Sequence, residues 1–171
     1  RLVKRKEFEF AALDMGNVFH RAIELCFRYA KEEGTSVAAL DGEGRKALVG
    51  RAMEEAAGTL GGNVLSASAR NEYLFSRMGR ITEKTLWAIG EQLKAGEFVP
   101  AAFELTFAPG ESAAMRISLA DGGSMQLAGK IDRVDLFEEA DRVYVKIVDY
   151  KSGSKDFDLN AVYGGLELQL V

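Results

Sequence analysis

Several things are scarce in this chain, and each scarcity excludes something. Cysteine occurs once, at Cys26, so these residues supply neither an internal disulfide nor a cysteine-built metal site. A reducing, cytoplasmic compartment is the matching expectation. No run of eighteen apolar residues exists, which argues against a membrane-spanning helix, and no signal-peptide pattern opens the chain. Positive charge is also in short supply, for the formal net charge is −4. A free-standing nucleic-acid binder is more often basic, because phosphate contacts dominate such affinity. The balance leaves room for an enzyme that is handed its nucleic acid by something else. Glycine is plentiful but wrongly arranged for a phosphate cradle. Neither G-x-x-x-x-G-K-[ST] nor G-x-G-x-x-G occurs, and GTLGGNVLSAS (58–68) reads as a flexible connection.

What remains is ordinary globular material, 47% apolar and 28% charged over 171 residues, enough for one domain spanning 1–171 with a real core. The chain opens on RLVKRK without an initiator methionine. It stops at GLELQLV inside an amphipathic pattern with no C-cap, so a piece of a longer polypeptide is expected. Phe19, Ile23, Cys26 and Ala30 recur at helical spacing, predicting a helix over 16–33 with Asp14 as N-cap and Gly34 as stop. DGEGR (41–45) reads as a turn before a second helix reaching about 57. A long helix is predicted over 68–94, with Trp87 in the core rather than a base-stacking platform and Arg70, Arg77, Arg80 and Lys84 forming a solvated face rather than a DNA path. The pattern then switches to strands near 98–107, 113–119, 125–137 and 143–150, with Asp121-Gly122-Gly123 as a hairpin turn. A last helix is expected from 160. The result is an α/β fold with a helical N-terminal half and a mixed, mostly antiparallel sheet.

The stretch with most chemistry is GKIDRVDLFEEADRVYVKIVDYK (129–151), two strands around a polar turn at 139–142. In an even register Leu136 faces Val145, Val134 faces Ile147, and Asp132 faces Asp149. Opposed residues share a face with Cβ atoms roughly 4.5–5.5 Å apart, and two carboxylates that close repel unless a proton or cation lies between them. A loop of three or five residues would undo the pairing. Lys151 falls on the same face by alternation. Together with Val143, Val145 and Ile147 this puts Asp149 and Lys151 at the rim of the core. A satisfied Asp149–Lys151 ion pair closing the strand is the plain alternative. Two carboxylates instead suit Mg²⁺ or Mn²⁺, hard cations that take carboxylate, water and phosphate oxygens. Lys151 could then orient a water or stabilise developing charge. Glu104, in FELTF, could add a third acid from a neighbouring strand, or be a surface glutamate on an edge.

GNVFH (16–20), FELTF (103–107), GKIDRVD (129–135), IVDYKSG (147–153) and GLELQL (165–170) appear in the order seen in the RecB-like branch of the PD-(D/E)XK nucleases. Within that branch the chain most resembles the C-terminal nuclease domains of AddB-type subunits, and the blocks span nearly its whole length. The resemblance implies a restriction-endonuclease-like core, a central sheet flanked by helices. It implies Asp132 and Asp149 as Mg²⁺ ligands, the Tyr150 backbone carbonyl as a third, and Lys151 as the catalytic lysine. His20 would approach the metal from the first helix. Gln169 matches the glutamine of a Q-x-x-x-Y motif, half present here, that contacts DNA or steadies the site. The implied partners are a single DNA strand and an AddA-type helicase subunit that delivers it, in bacterial break repair and recombination. Relatives often hold an iron–sulfur cluster through cysteines outside the domain; none of those positions is present, so no cluster is expected. A DNA-binding or structural module without activity is the competing reading.

Overall fold

The computed structural model describes residues 12–58, 68–108, 115–118 and 122–151. It divides into two compact units, 1–99 and 100–171, the first helical and the second built of strands. The α/β class, with helices in the N-terminal half and antiparallel strands after them, is the one the sequence pattern predicts. The predicted 160-onward helix, Gln169, the 58–68 connection (from 59 to 67) and the first eleven residues lie outside the described residues.

In the helical unit α1 (Ala12–Glu32), α2 (Gly42–Gly58) and α3 (Ala69–Lys94) pack around one apolar core. Val18, Ala22, Ile23, Leu25 and Cys26 of α1 are buried, as are Leu48, Ala52, Met53 and Ala56 of α2 and Met78, Leu86 and Ile89 of α3. These positions recur every three or four residues, which is the stripe a helix needs to bury one side. The ends are set by local chemistry. Gly34 takes φ +67 and lets Thr35 N–H reach the Ala30 carbonyl at 2.8 Å, closing α1 with a left-handed residue that glycine adopts without a Cβ penalty. Ser68 caps α3, its Oγ accepting from Asn71 N–H at 3.2 Å.

Three sequence expectations change here. Asp14 lies inside the first turn of α1 rather than ahead of it. DGEGR is the start of α2 and not a separate turn. Asp41 accepts from Gly44 N–H at 2.7 Å, and that cap satisfies a donor the glycines would otherwise leave exposed. Trp87 is 52% exposed, so it stands outside the core. The buried stripe of α3 runs through Met78, Thr82, Leu86 and Ile89, which turns position 87 toward solvent.

The strand unit contains a three-stranded sheet in the order β1 (Val99–Phe107), β4 (Gly129–Glu139), β5 (Arg142–Val148), and a two-stranded sheet of β2 (Met115–Ser118) and β3 (Ser124–Leu127). The predicted single strand over 125–137 is therefore two strands in different sheets, parted at Ala128. β2 and β3 form the hairpin that Asp121-Gly122-Gly123 predicts, with Ser118 opposite Ser124. β4 and β5 close through Ala140 and Asp141 in the even register, pairing Leu136 with Val145 and Val134 with Ile147. Ala140 takes φ 53, the left-handed backbone that a two-residue hairpin turn of matching twist requires.

Candidate metal centre

The site is assembled across one edge of the three-stranded sheet. β4 is central, and its Asp132 is buried, 7% exposed. On one side lies β1. Phe107 covers Gly129 so closely that a Cβ there would sit 2.7 Å from the ring, so only glycine admits this approach. Glu104 and Asp132 bring carboxylate oxygens within 4.8 Å of each other. The two contacts run in opposite senses along the strands, which makes β1 antiparallel to β4. Glu104 also pairs with Lys130 and takes φ 50. A left-handed glutamate costs on the order of 1–3 kcal/mol. It interrupts the alternation of β1 as a bulge does, and bulges re-aim side chains.

On the other side lies β5. Its ladder with β4 ends at Arg133 opposite Val148, and one further step in that register puts Asp132 opposite Asp149. Asp132 Oδ2 accepts from the Tyr150 N–H at 2.7 Å, which fastens the chain just past β5 to the central strand. Asp149 Oδ2 lies 2.6 Å from Lys151 Nζ, yet at angles that leave this buried oxygen without a hydrogen bond. The ion pair is therefore formed but does not satisfy the carboxylate. Lys151 keeps a half-exposed side chain.

One expectation about this hairpin is overturned. Val143, Val145 and Ile147 are 59%, 59% and 51% exposed, so Asp149 and Lys151 do not continue a core face. The buried face is the other one. Arg133 and Asp135 are both 0% exposed. Arg133 donates from Nη2 to Asp135 Oδ2 at 3.0 Å and from Nη1 to Tyr150 Oη at 2.8 Å. Lys146, directly opposite Asp135, reaches the same oxygen at 3.3 Å. Burial pushes the Tyr150 phenol up to about 12, against the pull of the Arg133 charge. This cluster went unread in the sequence, although R-x-D on one strand with a tyrosine just beyond the next is the signal that could have found it. Its effect is positional: Tyr150 is held at its phenol by Arg133 and at its amide by Asp132, between Asp149 and Lys151.

Glu104, Asp132, Asp149 and Lys151 thus all lie in the strand unit. The first two are in mutual reach and the last two are ion-paired, and the β4–β5 ladder ends one step short of pairing Asp132 with Asp149. His20 belongs to the helical unit, half-buried on α1 with its ring edge-on to Phe19 at 5.9 Å between centroids. The donor set suits a hard divalent cation. It offers carboxylate oxygens, one of them buried and unsatisfied, and no thiolate.

Residues 1–171 match the PD-(D/E)XK nuclease superfamily. Among curated proteins, the B subunit of the ATP-dependent helicase/deoxyribonuclease from Alkaliphilus metalliredigens is 37% identical over 170 residues, covering 98% of this chain and 15% of that protein. The protein of the same name from Lachnoclostridium phytofermentans is 37% identical over 169 residues, covering 99% of this chain and 14% of its own length. That of Geobacillus thermodenitrificans is 37% identical over 171 residues, covering 99% and 15%. The chain therefore spans about 15% of the length of these relatives.

Proposed function

The chain belongs to the PD-(D/E)XK nuclease superfamily, and from that membership we propose that it hydrolyses DNA phosphodiesters with Mg²⁺ or Mn²⁺ at Glu104, Asp132 and Asp149. The observation that carries the reading is the convergence of carboxylates from two neighbouring strands, with Glu104 and Asp132 oxygens within 4.8 Å and Asp149 next in register. The cation, when bound, would supply Lewis acidity toward the phosphodiester and a more acidic water. Asp132 and Asp149 would hold it, with the Tyr150 carbonyl as a further oxygen ligand. His20 joins them on the strength of the G-x-x-x-H motif, and Gln169 is assigned to DNA contact on the same kind of evidence. Lys151, a point charge on a mobile stem, holds a proton at Nζ where it can orient a water or offset charge on a phosphate oxygen. Asp132 also fixes the Tyr150 amide, which sets the backbone between Asp149 and Lys151.

The relatives' name describes part of a helicase–deoxyribonuclease, and an AddA-type helicase that feeds a single strand to this chain fits the acidic balance of −4. The setting would be bacterial break repair and recombination in the cytoplasm, with exonuclease action and no iron–sulfur cluster on these residues. No helix among the described residues is long and apolar enough to cross a membrane. The test is cleavage of single-stranded DNA in Mg²⁺ or Mn²⁺ together with calorimetric Mn²⁺ binding. Asp149→Ala is expected to lose both, and Lys151→Ala to lose cleavage while keeping the metal. The Asp149–Lys151 ion pair favours a second reading, a site closed on itself in an inactive DNA-binding module. Mn²⁺ binding without cleavage would select that reading, and no Mn²⁺ binding at all would remove the metal centre.

A further inference from the structure

The exposed face of α3 carries an ordered series. Tyr73, Arg77, Arg80, Lys84 and Trp87 follow at intervals of four, three, four and three residues, so at 100° per residue they form one stripe along the helix. All five are exposed, with the two aromatics 59% and 52% so. At 1.5 Å per residue the stripe is about 21 Å long, an aromatic at each end and three cations between. At its Trp87 end it opens into a cleft of about 660 Å³ lined by Arg80, Glu83, Lys84 and Trp87 of α3 and by Arg45 of α2.

None of the four cations is neutralised by a carboxylate within ion-pair distance among the described residues. Arg80 spends one donor on Ser76 Oγ at 3.0 Å. Arg45 keeps a buried Nε with no hydrogen-bond partner, a cost normally met by an acceptor. Three other arginines of this unit behave differently. Arg21 and Arg28 pair with Glu55, and Arg51 pairs with Glu33. In a chain of net charge −4, four uncompensated cations beside two exposed rings are a local exception to the composition.

We propose that this stripe is a binding track for single-stranded nucleic acid, with Trp87 and Tyr73 as stacking platforms and Arg45, Arg77, Arg80 and Lys84 on the phosphates. Cations supply affinity for a polyanion, while a flat aromatic surface selects unpaired bases, whose π-faces are hidden in a duplex. An acidic peptide would satisfy the cations and leave both rings unused, so the aromatics decide between the two. Glu83 at the cleft wall limits the charge and favours a strand that bypasses it over a diffuse anion cloud. The track extends the nuclease reading by naming where an unpaired strand is held on the helical unit, and it is measured without metal or cleavage.

Trp87 is the one tryptophan in the chain, which makes its fluorescence a reporter of this site alone. Titrating the 171-residue chain with oligo-dT in EDTA is expected to quench it saturably, with affinity falling steeply as salt rises. By anisotropy of a labelled oligonucleotide, Trp87→Ala should weaken binding roughly 5- to 150-fold, the range for loss of one stacked base. Arg80→Ala and Lys84→Ala should each flatten the salt dependence by about 0.7 in log–log slope. These side chains are exposed, so an unchanged circular dichroism spectrum is expected and serves as the folding control. The proposal is overturned if oligo-dT gives no quenching. It is equally overturned if poly-glutamate of matched charge quenches as well, or if Trp87→Ala binds like the parent. Absent quenching with metal-dependent cleavage intact would overturn the track and spare the nuclease reading.

Discussion

Asp132 and Arg133 are adjacent on β4 and point to opposite faces of the same hairpin, and the two faces handle charge in opposite ways. On the Arg133 face opposite charges meet in the interior: Asp135 takes two guanidinium contacts, Tyr150 a third, and Lys146 reaches in as well, although Arg133 Nε and Asp135 Oδ1 pair at 2.8 Å without a hydrogen bond. Buried ions tolerate nothing less, because an unpaired charge in a low-dielectric interior costs several kcal/mol, to order of magnitude. On the Asp132 face the bookkeeping is left open. Glu104 and Asp132 lie within reach of each other and Asp149 keeps a buried oxygen without a hydrogen bond, while Lys130 and Lys151 stand at the more exposed margin. The difference separates a cluster of opposite charges at full burial from a set of carboxylates at a margin, where the proposed cation would bind. Charge in a strand says little by itself; whether the cluster closes on itself says more.

The comparison breaks most visibly at its two aspartates. Asp135→Ala strands Arg133, 0% exposed, and is expected to cost about 3–5 kcal/mol in chemical denaturation. Asp149→Ala removes a partly exposed carboxylate paired with Lys151 and is expected to change stability by less than about 1 kcal/mol while ending cleavage. Replacing the buried pair together, Arg133→Met with Asp135→Leu, should return most of the lost stability, since apolar residues of similar volume often match a buried ion pair. Equal stability losses in Asp135→Ala and Asp149→Ala would show that the two faces do not differ in this way.

The sequence made the hairpin legible because its even turn and alternating apolar residues leave few registers, and a one-residue slip would have exchanged the faces. The proposed site residues come from the two aspartates and from the family blocks. What misled was the meaning of alternation. Val143, Val145 and Ile147 look like a core face by hydrophobicity, whereas the buried side carries Arg133 and Asp135, whose mutual neutralisation depends on distances a sequence does not print. Trp87 failed similarly: apolar character suggested the core, but the phase of Met78, Thr82, Leu86 and Ile89 decided which way α3 faced. The positive φ at Glu104 was hidden because nothing in FELTF announces a left-handed glutamate.

The smallest expected effect tests how firmly the closed face holds the open one. Tyr150 is the joint between them, its phenol on Arg133 and its amide on Asp132. Burial raises the phenol to about 12, above the roughly 10 of an unfolded tyrosine. A folded pKa raised above the unfolded value means the folded state keeps the proton longer. The contribution is therefore complete below about pH 10 and lost as pH rises toward 12, an alkaline decline on the order of 2–3 kcal/mol. Tyr150→Phe removes the titrating proton and should abolish that decline, at a neutral-pH cost of roughly 1 kcal/mol for the acceptor lost to Arg133. Denaturation midpoints of parent and variant between pH 8 and 12 measure both quantities at once. If the parent declines no more than the variant, the phenol is not held in the buried cluster, and Arg133 loses its hold on the backbone between Asp149 and Lys151.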